Sequence, residues 1–353
     1  MGQKATWIRL PRNVVVGQDA LDRAGEVVED LHLAGPALVV TSPTPRTVAG
    51  DRLLDRLAAV GVDAEVVVVE TASFDAVERV LDAAAGCEPG FLVGVGGGKA
   101  IDVAKLATDE LDLAFLSVPT AASHDGIVSG RGSVPEGDTR HSVAAEPPTA
   151  VVADTGVIAD APWELTTAGC ADIISNWTAV QDWRLASRLK NVAYSEYAGA
   201  LAEMTAELLV GEAESLRPGL EESAWIVVKA LVSSGVAMSI AGSSRPASGA
   251  EHLFSHQLDR LAPDAALHGH QVGVGAILTA YLHGGDAGRW RAIRDALATL
   301  DAPTTAAGLG IDDETAIEAL TTAHRIRDRY TILGDGVSEA AAVEAATHTG
   351  VID

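Results

Sequence analysis

Two histidines of the sequence lie four residues apart, His252 and His256 in the segment AEHLFSH. On one helix their side chains share a face, so both imidazoles could bind a metal ion or a substrate; the alternative is a hydrogen-bonded pair in the core. His268 follows in the segment LHGH, and Asp172 lies earlier in the segment AGCAD. If Asp172 shared an ion with two of these imidazoles, the fourth position of tetrahedral zinc would stay open, as is typical of catalytic sites. Spacing alone does not join Asp172 to the histidines, which lie far along the sequence. Taken alone, Asp172 could equally be a solvated helix acid.

A run of glycines, Gly96–Gly98, follows the apolar segment Phe91–Val95. Glycines allow positive φ and remove every Cβ, so backbone N–H groups can close around an anion where the predicted helix Lys99–Thr108 begins. The pattern indicates a pyrophosphate site. It matches neither the dinucleotide-binding fingerprint, which has glycine where Lys99 stands, nor the P-loop, which has Ser or Thr where Ala100 stands. A tight strand-to-helix turn without a ligand is the alternative.

A second apolar segment, Leu113–Val118, leads into a loop of hydroxyl and acidic side chains with the sequence PTAASHDG, residues 119–126. In open parallel sheets, ligands bind at the carboxyl ends of the strands. Because the glycine run and this loop follow two strands of the same kind, we expect them to face one ligand.

The first half of the chain alternates short β-branched segments with helical periodicity, as in a parallel sheet with crossover helices. We predict a doubly wound α/β domain over residues 1–155, with a β-hairpin at about residues 127–145, where turn-rich segments flank short alternating runs. The predicted strands are Leu38–Thr41, Glu65–Val69, Phe91–Val95, Leu113–Val118 and Ala150–Val152, and the predicted helices lie near Gln18–Leu33, Val48–Val60, Phe74–Ala85 and Lys99–Thr108.

Beyond Asp154 the composition shifts to alanine, leucine and acids with helical periodicity. We predict an all-α domain over residues 156–353, which would carry the candidate metal ligands. The segment Ala224–Ala241 is long enough for a membrane span, but Lys229, Gly235 and serines interrupt it, so a buried helix is expected. The predicted fold class is therefore α/β, with a Rossmann-like sheet domain followed by an all-α domain.

The segments GGGKAIDVAK and SVPTAASHDG resemble the glycerol-1-phosphate dehydrogenase family, which is related to glycerol dehydrogenase, iron-dependent alcohol dehydrogenases and dehydroquinate synthase. The resemblance covers nearly the whole chain, because later acid and histidine positions fall at the family's spacing. It implies a dehydroquinate-synthase-like fold. It also implies reversible reduction of dihydroxyacetone phosphate to sn-glycerol 1-phosphate with NADH or NADPH, which supplies the backbone of archaeal ether lipids.

The resemblance also assigns site residues. It gives one Zn²⁺ per subunit to Asp172, His252 and His268, which would be the catalytic residues, and it gives substrate contacts to Asp125, Asp172 and His256. The zinc ion would act as a Lewis acid on the oxygen of the substrate's central carbon, which exchanges hydride with the nicotinamide. The implied contacts to NAD or NADP are Gly98, Lys99, Ala100, Ile101, Asp102, Thr120, Ala121, Ala122, Ser123 and Ser129.

Some details of the assignment depend on this chain. Iron-dependent relatives carry a fourth ligand, a histidine one helical turn after the aspartate; Asn176 stands there, which favours zinc over iron. His270 is a candidate to support the metal ligands. An acidic residue after an early strand would favour NAD, because it binds the ribose diol, whereas a basic residue there would favour NADP. Glu70 and Arg46 both lie near the ends of early strands, so we expect both cofactors to be used. The sequence singles out no phosphate ligand, and the candidates are Arg131, Arg140, Arg245 and Lys190.

The charge balance is strongly acidic, with 49 Asp and Glu against 25 Lys and Arg and a formal net charge of −24. This argues against nucleic acid and anionic membrane partners. Lysine is rare compared with arginine, and an acidic, lysine-poor surface would repel itself in dilute buffer but not in strong salt. We therefore expect a halophilic, haloarchaeal protein; an ordinary acidic enzyme is the alternative.

Cys87 and Cys170 are too few for a disulfide framework and form no Cys-x-x-Cys pair, which fits a reducing compartment. The first residues lack an apolar core of signal-peptide length. We expect a cytoplasmic protein that acts on a small molecule without membrane insertion. Apolar helices in the second half could pair subunits, so a homo-oligomer is expected.

Three other functions compete with the main interpretation. Zinc-dependent NAD glycerol dehydrogenase would use the same fold and hydride chemistry without a phosphate. A dehydroquinate-synthase-like lyase needs several Lys and Arg for a carboxylate and a phosphate, and the scarcity of lysine argues against it. A cofactor-binding scaffold without catalysis would be favoured by loss of a metal ligand, and Asp172, His252 and His268 are all present.

Overall fold

A parallel sheet forms the first half of the protein. The computed structural model describes residues 7–136, 139–263 and 265–353, and the side chains of these residues except 135, 136 and 139–142. The strands are β1 (Asn13–Gly17), β2 (Ala37–Thr41), β3 (Ala64–Val68), β4 (Phe91–Gly96), β5 (Ala114–Pro119), β6 (Arg131–Glu136), β7 (Thr139–Ala144) and β8 (Ala150–Asp154). Six of them pair in parallel in the order β1-β8-β5-β4-β2-β3, and β6 and β7 form an antiparallel pair.

The large sheet is buried on both faces. In β2, Leu38 and Val40 belong to one apolar core, whereas Ala37 and Val39 belong to the core on the opposite face. Side chains of a strand alternate between faces, so a run of consecutive apolar residues is what a sheet covered on both sides requires. The central strands end together, and both the glycine run and the polar loop therefore begin at the same edge.

The helices of the first half are α1 (Ala24–Asp30), α2 (Pro43–Pro45), α3 (Asp51–Ala59), α4 (Phe74–Cys87) and α5 (Gly98–Leu111). Those of the second half are α6 (Thr155–Ala159), α7 (Trp163–Ile174), α8 (Asn176–Lys190), α9 (Glu196–Glu212), α10 (Glu221–Ala241), α11 (Ala250–Leu261), α12 (His268–Gly284), α13 (Trp290–Thr299), α14 (Asp313–Thr322) and α15 (Glu339–Thr349). Short 3₁₀ turns occupy Ala20–Arg23, Asp125–Ile127, Gly285–Ala287, Ala307–Leu309 and Ala323–Arg325, and a π-helical turn occupies Arg46–Gly50.

The structure confirms the predicted fold class. All five predicted strands are present within one or two residues of their expected bounds, and the predicted hairpin is β6-β7. Within the described residues no strand follows Asp154. One strand was missed: β1 pairs with β8 at the edge of the sheet. The division into domains at residues 155 and 156 stays a prediction.

Helix α10 contains the long apolar segment of the second half. By length and composition it could cross a membrane, and 50% of its most apolar window is buried inside the protein. Gly235 of this helix lies so close to the turn after β5 that a Cβ there would be 2.9 Å from Val128 Cβ. The helix therefore packs over the loop that carries Asp125, as expected for a core helix.

Lys105 is a lysine of α5 that is almost completely buried. Its ammonium donates to the carbonyl oxygens of Gly126 at 2.6 Å and Arg131 at 2.7 Å, and lies 3.4 Å from Asp102 Oδ1. Burial lowers its pKa, although the Asp102 carboxylate acts in the opposite direction. Lys105 thus ties α5 to the Asp125–Ile127 turn and to β6.

Replacing Lys105 by Met is expected to lower the free energy of unfolding by about 3–5 kcal/mol, because Asp102 and two carbonyl oxygens would stay buried without their cation. Urea denaturation at fixed KCl concentration measures this. Lys229→Met, at an exposed position of α10 where the ammonium lies 3.9 Å from the Trp225 ring centroid, is the control and should change the free energy by no more than about 1 kcal/mol. Similar losses in both variants would contradict the role given to Lys105.

Candidate metal and cofactor site

A cavity of about 360 Å³ lies at the carboxyl ends of β4 and β5, between the sheet and the helices of the second half. The sheet side contributes the glycine run and the Ser123–Gly126 loop, and the helical side contributes α7, α11 and the start of α12. This is the position where ligands bind in open α/β sheets. The two segments that we expected to face one ligand, Gly96–Gly98 and residues 119–126, both contribute to this cavity wall, through Gly97 and Gly98 and through Ala121 and residues 123–126.

Asp172, His252 and His268 converge, with the two histidines lining this cavity and Asp172 buried beside them. One ligand atom from each residue lies within 4.8 Å of the others. Asp172 Oδ1 is 3.5 Å from His252 Nε2, and the His252 and His268 ring centroids are 5.2 Å apart. The approach of α12 to α7 requires Gly269, since a Cβ there would lie 2.0 Å from the carbonyl oxygen of Ala168.

Both imidazoles are held through their Nδ1 atoms. His252 Nδ1 lies 3.0 Å from Glu251 Oε1, and His268 Nδ1 lies 2.9 Å from Ser255 Oγ. Ser255 in turn donates to Gln271 Oε1 at 2.7 Å, so its hydroxyl oxygen is left to accept from His268. With the proton on Nδ1, each ring directs a lone pair from Nε2 toward the partner ligands. These donors fit a zinc ion, for which neutral imidazole fixed by an outer acceptor is the usual ligand.

Glu251 is fully buried beside this site. Besides His252, its carboxylate accepts from Thr178 Oγ1 at 2.9 Å and from the Gly249 N–H. Burial raises its pKa, but the hydrogen bonds from His252 and from the backbone outweigh this and lower it overall. Burial also lowers the pKa of His252, whereas bonds to Asp172 and Glu251 raise it to about 9 in the metal-free protein. Two carboxylates thus give the site a strong preference for a cation.

Replacing Glu251 by Gln is expected to weaken zinc binding by about 10- to 100-fold, because the amide keeps the shape but not the charge that orients and polarises His252. Competition with a chelator, followed by metal analysis, measures the affinity. Glu222→Gln, at an exposed position of α10, is the matched control and should bind zinc as the unmodified protein does. Unchanged affinity in Glu251→Gln would refute this role.

The residues expected to hold the substrate lie beside the triad. Asp125 Oδ2 accepts from Ser234 Oγ at 2.9 Å, and the Asp125 N–H donates to Asp172 Oδ2 at 3.0 Å. Burial, and then the neighbouring Asp172 carboxylate, raises the pKa of Asp125. His256 stacks on His268 with ring centroids 5.7 Å apart. Burial lowers its pKa to about 4, so the ring is neutral at ordinary pH.

The residues expected to hold the cofactor divide into two groups. Gly98, Lys99, Asp102, Ala121, Ser123 and Ser129 line the cavity. Ala100, Ile101, Thr120 and Ala122 are buried and are not among the residues that line it. Of these, Thr120 donates its N–H to the Gly96 carbonyl oxygen at 3.0 Å and so joins the two loops. The assignment of all ten residues to the cofactor stays a prediction.

Other candidates named from the sequence lie at different places. His270 Nε2 bonds to Thr167 Oγ1 at 2.9 Å, on the helix that carries Asp172, and does not contact the metal ligands in the contacts described. Asn176 donates to Ser234 Oγ at 3.3 Å and is buried. Lys190 lies over the Tyr330 ring on the surface, and the side chain of Arg140 is outside the described residues.

Sequence reasoning missed several residues of the site. Glu251 precedes His252 on α11, and Ser255 follows it by three residues. The only sequence signal was the acid next to a candidate ligand, which concerns Glu251. His124 lines the cavity and accepts from the Gly126 N–H at 3.0 Å. It faces Gly98, where a Cβ would lie 2.1 Å from His124 Nε2. Arg327 lines the cavity from the segment RIRDRY, where its charge gave no sign of burial.

The profile of the iron-containing alcohol dehydrogenase family matches residues 15–162. The glycerol-1-phosphate dehydrogenase [NAD(P)+] of Halobacterium salinarum is 72% identical over 352 residues, covering 100% of both chains. That of Haloarcula marismortui is likewise 72% identical over 352 residues, covering 100% of both.

The fold is also that of solved structures. A probable glycerol dehydrogenase from Sinorhizobium meliloti superposes with a TM-score of 0.80 at 21% identity, covering 98% of each chain. This likeness concerns the fold, whereas the full-length identity to the haloarchaeal proteins concerns the family. The chain belongs to the glycerol-1-phosphate dehydrogenase family.

Proposed function

We propose that this protein reduces dihydroxyacetone phosphate to sn-glycerol 1-phosphate with NADH or NADPH, and catalyses the reverse oxidation. The observation that carries the proposal is the convergence of Asp172, His252 and His268, two of which line a cavity whose wall also includes Gly97 and Gly98 of the glycine run. The named activity of the haloarchaeal relatives, at 72% identity over the full chain, supports the same reaction. Such a reaction supplies a glycerol phosphate backbone for ether lipids.

Asp172, His252 and His268 would hold a zinc ion, which as a Lewis acid polarises a carbonyl and lowers the pKa of the corresponding alcohol. Imidazole and carboxylate ligands suit zinc, and Asn176 in place of a fourth imidazole disfavours ferrous iron. Glu251 and Ser255 keep the Nδ1 atoms of the two histidines occupied, so that Nε2 serves as ligand. The protein's part is thus to fix the orientation of the ligands.

The residues around the triad would orient the substrate. Asp125 and His256 would bind the hydroxyl and remaining oxygens, because both line the cavity and His256 is a neutral imidazole at ordinary pH. Helix α10 and the Asp125–Ile127 turn cover this wall and would exclude water, which strengthens hydrogen bonds to the substrate. A substrate held against the triad would present its central carbon to the nicotinamide.

The cofactor would lie along the other wall. N–H groups at the start of α5 would bind the pyrophosphate, since Gly97 and Gly98 bring the backbone to the cavity surface. Ser123 and Ser129 would contact the nicotinamide end. Ser42, after β2, also lines the cavity and would face the adenosine side; it favours neither cofactor strongly, consistent with the use of both NAD and NADP.

The charge and the exposed apolar side chains of the protein support its proposed compartment, partners and oligomeric state. A net charge of −24 supports a cytoplasm of high salt and the absence of nucleic acid or membrane partners. The exposed side chains of Tyr197, Met204 and Leu208 recur on α9 at helical spacing, which supports a homo-oligomer. Sedimentation in strong KCl tests the oligomeric state.

The first experiment loads the purified protein with zinc in strong potassium chloride. Reduction of NAD and NADP is then followed with sn-glycerol 1-phosphate, sn-glycerol 3-phosphate and glycerol in parallel. Turnover of sn-glycerol 1-phosphate alone is the expected result. Turnover of glycerol alone would make the protein a polyol dehydrogenase. No turnover of any of the three substrates would favour a dehydroquinate-synthase-like lyase or a non-catalytic scaffold.

A further inference from the structure

Four arginines gather at one end of the cavity: Arg131 on β6, Arg245 after α10, and Arg327 and Arg329 after the Ala323–Arg325 turn. Arg131 and Arg327 line the cavity directly. Burial, and then the Arg131 charge, lowers the pKa of Arg327 to about 10; burial, and then the Arg327 charge, lowers the pKa of Arg329 to about 9. Like charges are thus held together in a poorly solvated place. The Glu251 carboxylate opposes the lowering of both pKa values, but its oxygens are bonded to His252, Thr178 and the Gly249 N–H, and a further anion would relieve the repulsion between the arginines.

The hydrogen bonds of these arginines do not neutralise them. Arg327 donates to Ser248 Oγ at 2.7 Å, and Arg329 donates to Ser244 Oγ at 2.8 Å and to the Ser248 carbonyl oxygen. The Nε atoms of Arg131 and Arg327 are buried without a hydrogen-bond partner. Among the side chains that the structure describes, the arginine salt bridges involve residues other than these four.

The arginines lie next to the residues that would bind the substrate. Arg327, His256 and His268 all line the same cavity. His256 stacks on His268 of the triad with ring centroids 5.7 Å apart. One cavity thus holds a triad residue, a candidate substrate contact and a guanidinium, which are the groups that a substrate with a reacting carbon and a phosphate would need.

We propose that Arg327 and Arg131 bind the phosphate group of the substrate, with Arg245 and Arg329 behind them adding positive potential. The inference rests on the function proposed above and names the residues that distinguish a phosphorylated from an unphosphorylated substrate. A guanidinium offers paired N–H donors that match phosphate oxygens, which an ammonium cannot do. The buried, unpartnered Nε atoms are donors that such a dianion would satisfy.

The test compares Arg327→Gln and Arg131→Gln with the unmodified enzyme, using dihydroxyacetone phosphate and unphosphorylated dihydroxyacetone. Each variant is expected to raise KM for the phosphorylated substrate about 10- to 100-fold, with a smaller change in kcat. The preference for the phosphorylated over the unphosphorylated substrate should fall by a similar factor, and Arg327→Lys should restore only part of it. Arg325→Gln, exposed in the same segment, is the control and should keep the original KM.

A second measurement is independent of turnover. Inorganic phosphate should raise the Tm of the zinc-loaded protein and of Arg325→Gln, but not that of Arg327→Gln. An unchanged KM and an unchanged phosphate effect in Arg327→Gln would overturn the inference. If the unmodified enzyme turns over only unphosphorylated dihydroxyacetone, the proposed function fails; the phosphate effect on Tm then still decides whether the arginines bind an anion.

Discussion

His268→Ala and Asp172→Asn are each expected to lose both zinc and turnover while the protein stays folded. One ligand of a tetrahedral zinc site is worth roughly 3 kcal/mol, so the affinity should fall about a hundredfold or more. Loss of the Lewis acid removes several kcal/mol of transition-state stabilisation, which corresponds to a decrease in kcat of about a thousandfold or more. Zinc content by metal analysis and kcat with sn-glycerol 1-phosphate are the two measurements.

His270→Ala is the matched control for the metal prediction. This residue stands two positions after His268 on α12, is buried, and bonds to Thr167 rather than to the triad. It should keep its zinc, although the lost hydrogen bond should lower the stability. Full zinc content and full activity in His268→Ala or Asp172→Asn would contradict the assignment of these residues as zinc ligands.

The sheet and its loops could be predicted because their signals are local. β4 and β5 are short apolar runs followed by glycines or polar residues, and buried parallel strands require such runs. β1 was missed although Val14–Val16 is also a short apolar run followed by glycine. This strand lies half-exposed at the edge of the sheet and pairs with β8, with Asn13 opposite Ala150, a partner that is far away in the sequence.

The metal ligands show the limit of spacing arguments. His252 and His256 share a helix face and could be paired from the sequence, but Asp172 joined them only through family resemblance. In the structure α12 approaches α7 at Gly269 and α11 at Gly275, where the absence of a side chain allows the close approach. Arg327 illustrates the same point, because only the fold reveals that one of two nearby arginines is buried at a cavity while Arg325 is exposed.

Gly169→Ala is the second substitution with a large expected effect. Gly169 lies on α7, one turn before Asp172, and a Cβ there would be 2.0 Å from the Ala122 carbonyl oxygen and 2.9 Å from its carbonyl carbon. The obstacle is backbone, which cannot rotate away as a side chain can, so α7 must move from the Ala122–Ser123 loop. We expect the free energy of unfolding to fall by about 3 kcal/mol. The same movement shifts Asp172 relative to the loop.

Gly211→Ala separates this effect from the general consequences of replacing a helical glycine. Gly211 lies near the end of α9, and a Cβ there would meet nothing within 4 Å. Alanine should therefore stabilise the protein by about 0.5–1 kcal/mol, because it restricts the unfolded chain. Urea denaturation should thus give opposite signs for the two variants, and zinc binding and kcat should fall only in Gly169→Ala. If both variants were stabilised and active, α7 would not need its close approach to the loop, and the alignment of Asp172 would depend on other contacts.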